Sequence, residues 1–210
     1  MSHFEKTVYP QISSIRNYLE KESSSDIRNQ ILSGLTANPR YISSRYFYDD
    51  RGSELFEQIT RLPEYYPGRT EKGILEKKGS EIMRNFGGDQ VIELGSGDCS
   101  KISLLFDALP AKRFEGLQYH PVDVSRAAVE QSSSILREKY PGLQIHGMLT
   151  DFLKHVKFYP TRSARLVCFF GSTLGNFRRE VAGQFLLNVA SMMDPGDRFL
   201  LGLDMVKDRE

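Results

Sequence analysis

Several apolar segments of the sequence end in polar residues that can bind a nucleoside. Val91-Ile92-Glu93-Leu94 runs into Gly95-Ser96-Gly97, and later apolar runs end at Asp123, at Asp151-Phe152 and at Gly171. A glycine turn lets the backbone approach a ligand closely, and an acid one βαβ unit later can accept hydrogen bonds from ribose hydroxyls. Asp beside Phe offers an adenine ring a polar partner and an apolar face.

Each of these residues also has a structural interpretation, and the residues alone leave both open. Asp123 can cap the helix after it, Asp151 can form a turn, and Asn176 can cap a helix that begins near Phe177. The turn has two glycines where a dinucleotide-binding turn has three, which favours a nucleoside without a pyrophosphate. All of these residues lie at the carboxyl ends of predicted strands, and this shared position favours a binding site.

The elements that must position these residues alternate between strands and helices after residue 88. We predict strands at 91–94, 117–124, 143–149, 164–170 and 198–203, and helices at 102–109, 126–140 and 178–193. Ser100 and Ser125 are the predicted N-caps of the first two helices. Such alternation is typical of an α/β fold with a parallel, doubly wound sheet, in which ligands bind beyond the carboxyl ends of the strands.

Residues 1–88 are predicted to form a helical and aromatic-loop region ahead of the sheet domain at 89–210. Ile12, Ile15 and Leu19 recur at helical spacing, and a second helix is expected between the serines at 23–25 and Pro39. Tyrosines, a phenylalanine and prolines cluster between residues 46 and 70. They form either one wall of a ligand pocket or anchors that hold the helices to the core.

The bulk properties exclude several classes of protein. The chain has 210 residues and a formal net charge of +1, which gives no general attraction to nucleic acid or to anionic membranes. No apolar run approaches the length of a membrane span, and the N-terminus lacks the apolar core of a signal peptide. Cys99 and Cys168 provide no disulfide framework, which suits a reducing cytoplasm. We predict no metal site.

Five segments carry a closer resemblance to a known family, and they are Phe47–Phe56, Ile59–Pro67, Glu93–Gly97, Phe170–Asn176 and Leu203–Asp208. Together they resemble the histidine-specific methyltransferases of ergothioneine biosynthesis, which use S-adenosylmethionine (SAM). The resemblance implies a Rossmann-like class I SAM methyltransferase sheet. It also implies N-methylation of the α-amine of an amino acid, with histidine converted to the trimethylated hercynine.

The resemblance implies roles for individual residues. It implies that SAM is held by Gly95, Lys101, Asp123, Asp151 and Phe152. It implies that the amino-acid substrate is held by Tyr65 and Asn176, with Tyr48, Phe56 and Gly171 lining its amino end. The neutral amine attacks the methyl carbon directly, so no covalent nucleophile is expected. No base is evident, and a tyrosine hydroxyl or a water can relay the proton.

The family members are longer than this chain. The resemblance implies that two further strands and the residues that recognise imidazole lie beyond residue 210, which leaves strand 198–203 as an exposed edge open to pairing. The chain is then a cloned fragment, a truncated gene product or one part of a two-piece protein. Two functional alternatives stay open: methylation of another amine, such as a modified tryptophan, and SAM binding without turnover. The missing third glycine disfavours a nicotinamide-dependent oxidoreductase.

Overall fold

A single parallel sheet organises the chain. The computed structural model describes residues 14–19, 23–47, 50–154 and 163–205, with the backbone alone at 50, 53, 54 and 57. Within these residues the strands are β1 Ser14–Asn17, β2 Gln90–Leu94, β3 Gln118–Asp123, β4 Gln144–Leu149, β5 Arg165–Phe169 and β6 Arg198–Leu201. Their order across the sheet is β1-β4-β3-β2-β5-β6, and every pair is parallel.

The order of the strands creates a crevice between β2 and β5. From β2 the chain moves outward through β3 and β4, and it then returns to the other side of β2 with β5 and β6. Every residue of β2 and β5 is buried, as expected for mainly apolar strands at the centre of a parallel sheet. Loops that leave neighbouring strands in opposite directions separate at this point, so a ligand can bind outside the carboxyl ends of β2 and β5.

Helices cover both faces of the sheet. The α-helices are α1 Ser24–Thr36, α2 Asp50–Thr60, α3 Tyr66–Asn85, α4 Ser100–Phe106, α5 Arg126–Lys139 and α6 Arg179–Met192. One buried cluster joins side chains of α3, α4 and α5 to one face of the sheet, through Leu75, Ile102 and Leu136 among others. A second cluster joins α6 to the opposite face through Phe185 and Val189. This three-layer arrangement is the predicted doubly wound α/β fold, and the prediction is confirmed.

Two local predictions are wrong. Residues 14–17, which the spacing of Ile15 and Leu19 predicts as helix, form β1 and pair with β4, so that Ser14 lies opposite His146. A strand of four residues gains its stability from that tertiary pairing, which local periodicity does not report. The N-cap of α4 is Cys99 rather than Ser100, and Cys99 has a φ of 54°. The Asp98 carboxylate accepts the N–H of Ser100 at 3.1 Å instead.

The N-terminal helix predictions have mixed outcomes. α1 begins after Ser23, whose side chain forms a capping box with Asp26, and it ends before Pro39 as expected. Ile12 lies outside the described residues. Because β1 joins the same sheet as the later strands, the predicted division at residue 88 does not separate the sheet from everything before it, and the division stays a prediction. Within the described residues, no helix is long and apolar enough to cross a membrane.

Candidate functional site

The turn after β2 exposes its backbone at the edge of the sheet. Gly95 and Gly97 have φ angles of 71° and 49°, a region in which a side chain would be strained. The N–H groups of Gly95 and Ser96 both donate to the carbonyl oxygen of Val122, at 2.7 and 3.2 Å, which fixes the turn against β3. A Cβ at Gly97 would have no heavy atom within 4 Å. The turn is thus a rigid cradle with open space beside it.

The carboxylate of Asp123 joins two loops at the end of β3. It accepts the N–H of Gly97 at 3.1 Å and the N–H of Ser125 at 2.9 Å. The cap of α5 is Ser125, whose Oγ accepts the N–H of Ala128, so Asp123 is not the helix cap. Each carboxylate oxygen can accept a second hydrogen bond, and the side chain is partly exposed. Asp123 can therefore accept ribose hydroxyls beside the glycine turn.

Asp151 and Phe152 follow β4 and reach the same turn. A Cβ at Gly95 would lie 3.7 Å from the ring of Phe152. The ring also contacts Phe169 and Phe185, with centroid distances of 5.4 and 5.9 Å. The structural interpretation of Asp151 is confirmed in part, because its Oδ1 accepts the N–H of Leu153 in a turn. Its Oδ2 lies 3.5 Å from an Arg45 guanidinium nitrogen.

An ion pair lies at the crevice between β2 and β5. Lys101, in the first turn of α4, has its Nζ 2.7 Å from Oε2 of Glu71 on α3. The same carboxylate accepts the N–H of Gly171, the second residue after β5, with distances of 3.1 and 2.9 Å to its two oxygens. Glu71 was not among the predicted site residues. One feature could have identified it: Glu71 lies on the same face of α3 as Leu75 and Gly79, both of which are buried.

The aromatic loop and the turn after β5 supply the remaining predicted residues. Phe56 and Tyr65 contact each other in an edge-to-face arrangement, with ring centroids 5.9 Å apart. Asn176 ends the short 3-10 helix Thr173–Asn176 and is exposed. The structure caps α6 with Arg178, so the alternative that Asn176 caps this helix is wrong. Tyr48 lies outside the described residues.

A neutral acid lies beneath the glycine turn. Glu93 is buried in β2, and its Oε2 accepts the hydroxyl of Tyr119. Burial raises the pKa of Glu93 to about 8, although the hydrogen bond from Tyr119 opposes this change. A carboxyl with this pKa is mostly protonated at pH 7. It therefore adds little negative charge beneath the acids that line the edge of the sheet.

Glu93→Gln is expected to flatten the pH dependence of stability between pH 6.5 and 8. A folded pKa of about 8, against 4.5 for the unfolded group, gives a stabilisation that is lost as the pH rises toward 8. Burial lowers the pKa of His120 to about 3, against 6.5 for the unfolded group, so its contribution changes mainly below pH 6.5 and has the opposite sign to that of Glu93 above it. The change in stability between pH 6.5 and 8 therefore reports mainly the titration of Glu93, which lowers the unfolding free energy by roughly 2 kcal/mol over that range.

Urea unfolding at pH 6.5 and pH 8 measures this effect. The exposed Glu76→Gln on α3 is the control and should keep the wild-type loss across the window. An equal loss in Glu93→Gln would show that another group titrates.

A match to a protein family identifies this chain among the many α/β proteins that have a parallel, doubly wound sheet. The family model described as "Histidine-specific methyltransferase, SAM-dependent" matches residues 27–210. The chain belongs to this family. The match includes the aromatic loop, the glycine turn and the segment after β5. It confirms the resemblance that the sequence motifs indicate.

The chain is similar to relatives that are named for different amine substrates, and two of them illustrate this. The chain is 41% identical over 197 residues to the histidine N-alpha-methyltransferase of Mycolicibacterium smegmatis, with 93% of this chain and 61% of the relative covered. It is 32% identical over 192 residues to the 4-dimethylallyltryptophan N-methyltransferase easF of Claviceps purpurea, with 85% and 55% covered. The chain therefore spans less than two thirds of the length of either relative.

Solved structures confirm the fold of this family member. The mitomycin 7-O-methyltransferase MmcR superposes with a TM-score of 0.55 at 15% identity, covering 88% of this chain and 50% of that one. At that identity the likeness shows the Rossmann-like methyltransferase fold alone. The described residues fit a nucleoside cofactor, because the open glycine cradle, the Asp123 carboxylate and the Phe152 ring meet at one edge.

Proposed function

We propose that this chain is a SAM-dependent amino-acid N-methyltransferase, with the α-amine of histidine as its substrate and hercynine as the product. The observation that carries the proposal is the family match over residues 27–210, a range that contains the glycine turn and Asp123, which are hydrogen-bonded to each other. The proposal includes ergothioneine biosynthesis as the pathway and the cytoplasm as the location. The two cysteines are buried and free, which is consistent with that location.

The cofactor residues have distinct tasks in this proposal. Gly95 admits the cofactor close to the backbone, Asp123 accepts the ribose hydroxyls, and Asp151 with Phe152 receives the adenine. Lys101 binds the carboxylate of the amino-acid tail. SAM supplies a methyl group that is electrophilic because it is bonded to a sulfonium sulfur.

The substrate residues lie on two separate segments. Phe56 and Tyr65 come from the aromatic loop, and Gly171 and Asn176 come from the turn after β5. Tyr48 completes the proposed set. These residues hold the amino end of the substrate and exclude water, so that the amine is neutral and aligned with the methyl carbon. A tyrosine hydroxyl or a water relays the proton that the amine must lose.

Two further candidate functions have specific support. Methylation of another amine, such as a modified tryptophan, is favoured by the 32% identity to the Claviceps enzyme. SAM binding without turnover is favoured by the geometry, because the proposed cofactor residues meet at one edge of the sheet whereas the proposed substrate residues lie on two separate segments. β6 has one strand partner among the described residues, so pairing through this edge also belongs to the proposal.

Calorimetric titration with S-adenosylhomocysteine, followed by histidine in its presence, tests the proposal. Binding of both ligands supports a histidine methyltransferase, and turnover with SAM should then yield the trimethylated product. Binding of S-adenosylhomocysteine alone supports a cofactor module, and the same titration with 4-dimethylallyltryptophan tests the alternative amine. If a folded sample binds neither ligand, the proposal is wrong.

Asn176→Ala is expected to weaken amino-acid binding and to leave the affinity for S-adenosylhomocysteine within about twofold. Asn176 is exposed at the end of its turn and does not cap α6, so its loss should not disturb the cofactor residues. Paired titrations of the two ligands measure the split. An equal loss of both affinities would assign Asn176 a structural role.

A further inference from the structure

Glu71 holds three parts of the fold together at the crevice between β2 and β5. It is on the second turn of α3, and its carboxylate contacts Lys101 after β2 and the N–H of Gly171 after β5. Gly171 has a φ of 81°, and the next residue, Ser172, has a φ of 57°. This left-handed turn gives the N–H of Gly171 to the carboxylate. Glu71 therefore lies where the fold places its ligand.

The surrounding backbone leaves space for this carboxylate. A Cβ at Gly202, the first residue after β6, would lie only 1.7 Å from Oε1 of Glu71. A Cβ at Gly171 would lie 3.2 Å from the Nζ of Lys101. The start of α3 is also fixed, because the Tyr66 hydroxyl donates to Asp204, whose N–H donates to Oγ of Ser172. Glycines and hydrogen bonds together hold the acid at the strand ends.

The ion pair has unused hydrogen-bonding capacity. The Lys101 ammonium has three donors, of which one is directed to Glu71. The carboxylate of Glu71 has about four acceptor sites, and Gly171 and Lys101 leave some of them available. The side chains are only 15% and 20% exposed, for Glu71 and Lys101 respectively, so the charges are weakly screened. Adjacent positive and negative charges match the two charges of an α-amino acid.

We propose that Glu71 binds the α-ammonium of the cofactor's amino-acid tail while Lys101 binds its carboxylate. This inference rests on the proposed function, because it uses SAM as the ligand. Lys101 lies in the first turn of α4, directly after the glycine turn, which places the pair on the cofactor side of the crevice. The substrate is also an amino acid and brings the same ammonium, so the experiment must distinguish the two sources.

The test removes the positive charge from the ligand and the negative charge from Glu71. S-adenosylhomocysteine and its analogue without the α-amino group are titrated calorimetrically into the wild-type chain and into Glu71→Gln. The wild-type chain should prefer S-adenosylhomocysteine by roughly ten- to hundredfold, the range for a hydrogen bond between charged groups. In Glu71→Gln the preference should fall to about threefold or less. The glutamine keeps the shape and an oxygen that can accept the N–H of Gly171.

Glu81→Gln is the matched control. Glu81 lies on the same helix, but it is an exposed residue that pairs with Lys78 at the surface. This variant should keep the full wild-type preference for the α-amino group. Circular dichroism and thermal unfolding of all three proteins report whether the substitution at residue 71 preserves the fold.

Several outcomes would overturn the inference. A wild-type chain that binds both ligands equally overturns it without any variant, and the proposed function then stands. A folded Glu71→Gln that keeps the preference shows that Glu71 only clamps the loops. If this variant loses affinity for histidine and keeps the preference, the ammonium belongs to the substrate. If the folded wild-type chain does not bind S-adenosylhomocysteine, the proposed function fails and the inference fails with it.

Discussion

Asp123→Ala is expected to weaken binding of S-adenosylhomocysteine by roughly ten- to hundredfold. The substitution removes the charged acceptor for the ribose hydroxyls. It also leaves the N–H groups of Gly97 and Ser125 without their carboxylate, so the glycine turn loses its attachment to the end of β3. Both losses reduce the affinity, because the first removes a contact and the second loosens the cradle.

Calorimetry on Asp123→Ala and on Asp107→Ala separates this effect from a general loss of stability. Asp107 accepts hydrogen bonds from Lys139 and Tyr140, which makes it a comparable clamp outside the strand-end site. Asp107→Ala should lower the unfolding free energy and leave the affinity within about twofold. A folded Asp123→Ala with wild-type affinity would remove Asp123 from the cofactor site and leave it as a loop clamp.

The strands of the sheet domain could be predicted because their signals are local. β2 and β5 consist mainly of apolar residues and are followed by glycine turns, and each starts and ends within one residue of its prediction. β1 could not be predicted in this way, since its four residues become a strand only through pairing with β4. The pairing depends on residues about 130 positions away, as the contact between Ser14 and His146 shows.

The candidate site also contains residues with a local sequence signal and a residue whose role depends on distant contacts. Gly95, Asp123 and Phe152 could be grouped in advance because parallel strands all end at one edge of the sheet, and the structure brings them together there. Glu71 is on a helix that precedes the sheet domain, and its contact with Gly171 spans 100 positions. No rule about strand ends includes such a residue. A carboxylate on the buried face of α3 is the one local sign of its role.

Asp197→Ala is expected to lower the unfolding free energy by about 3–5 kcal/mol, the cost of breaking a buried ion pair. The Asp197 and Arg165 side chains are 2% and 5% exposed, and the carboxylate accepts hydrogen bonds from the backbone N–H and the guanidinium group of Arg165, at 2.7 and 2.8 Å. It also accepts the N–H of Asp194. Its removal leaves a buried guanidinium whose other carboxylate partner, Asp194, is largely exposed.

Urea unfolding of Asp197→Ala and Glu130→Ala measures the difference between a buried and an exposed pair. Glu130 pairs with Arg126, and both side chains are more than half exposed, so Glu130→Ala should cost about 0.5 kcal/mol or less. Similar losses in the two variants would show that the buried pair is worth no more than the surface pair.

The affinity for S-adenosylhomocysteine should be unchanged in folded Asp197→Ala, because the ion pair and the site lie at opposite ends of β5. Arg165 begins this strand, and Gly171 follows its far end, about 15–20 Å away at the rise of an extended chain. β5 fixes the positions of its two ends, but among the described residues no ion pair joins Arg165 to the site. A loss of affinity in the folded variant would contradict this, and it would mean that the crevice between β2 and β5 depends on how β5 is held at its start.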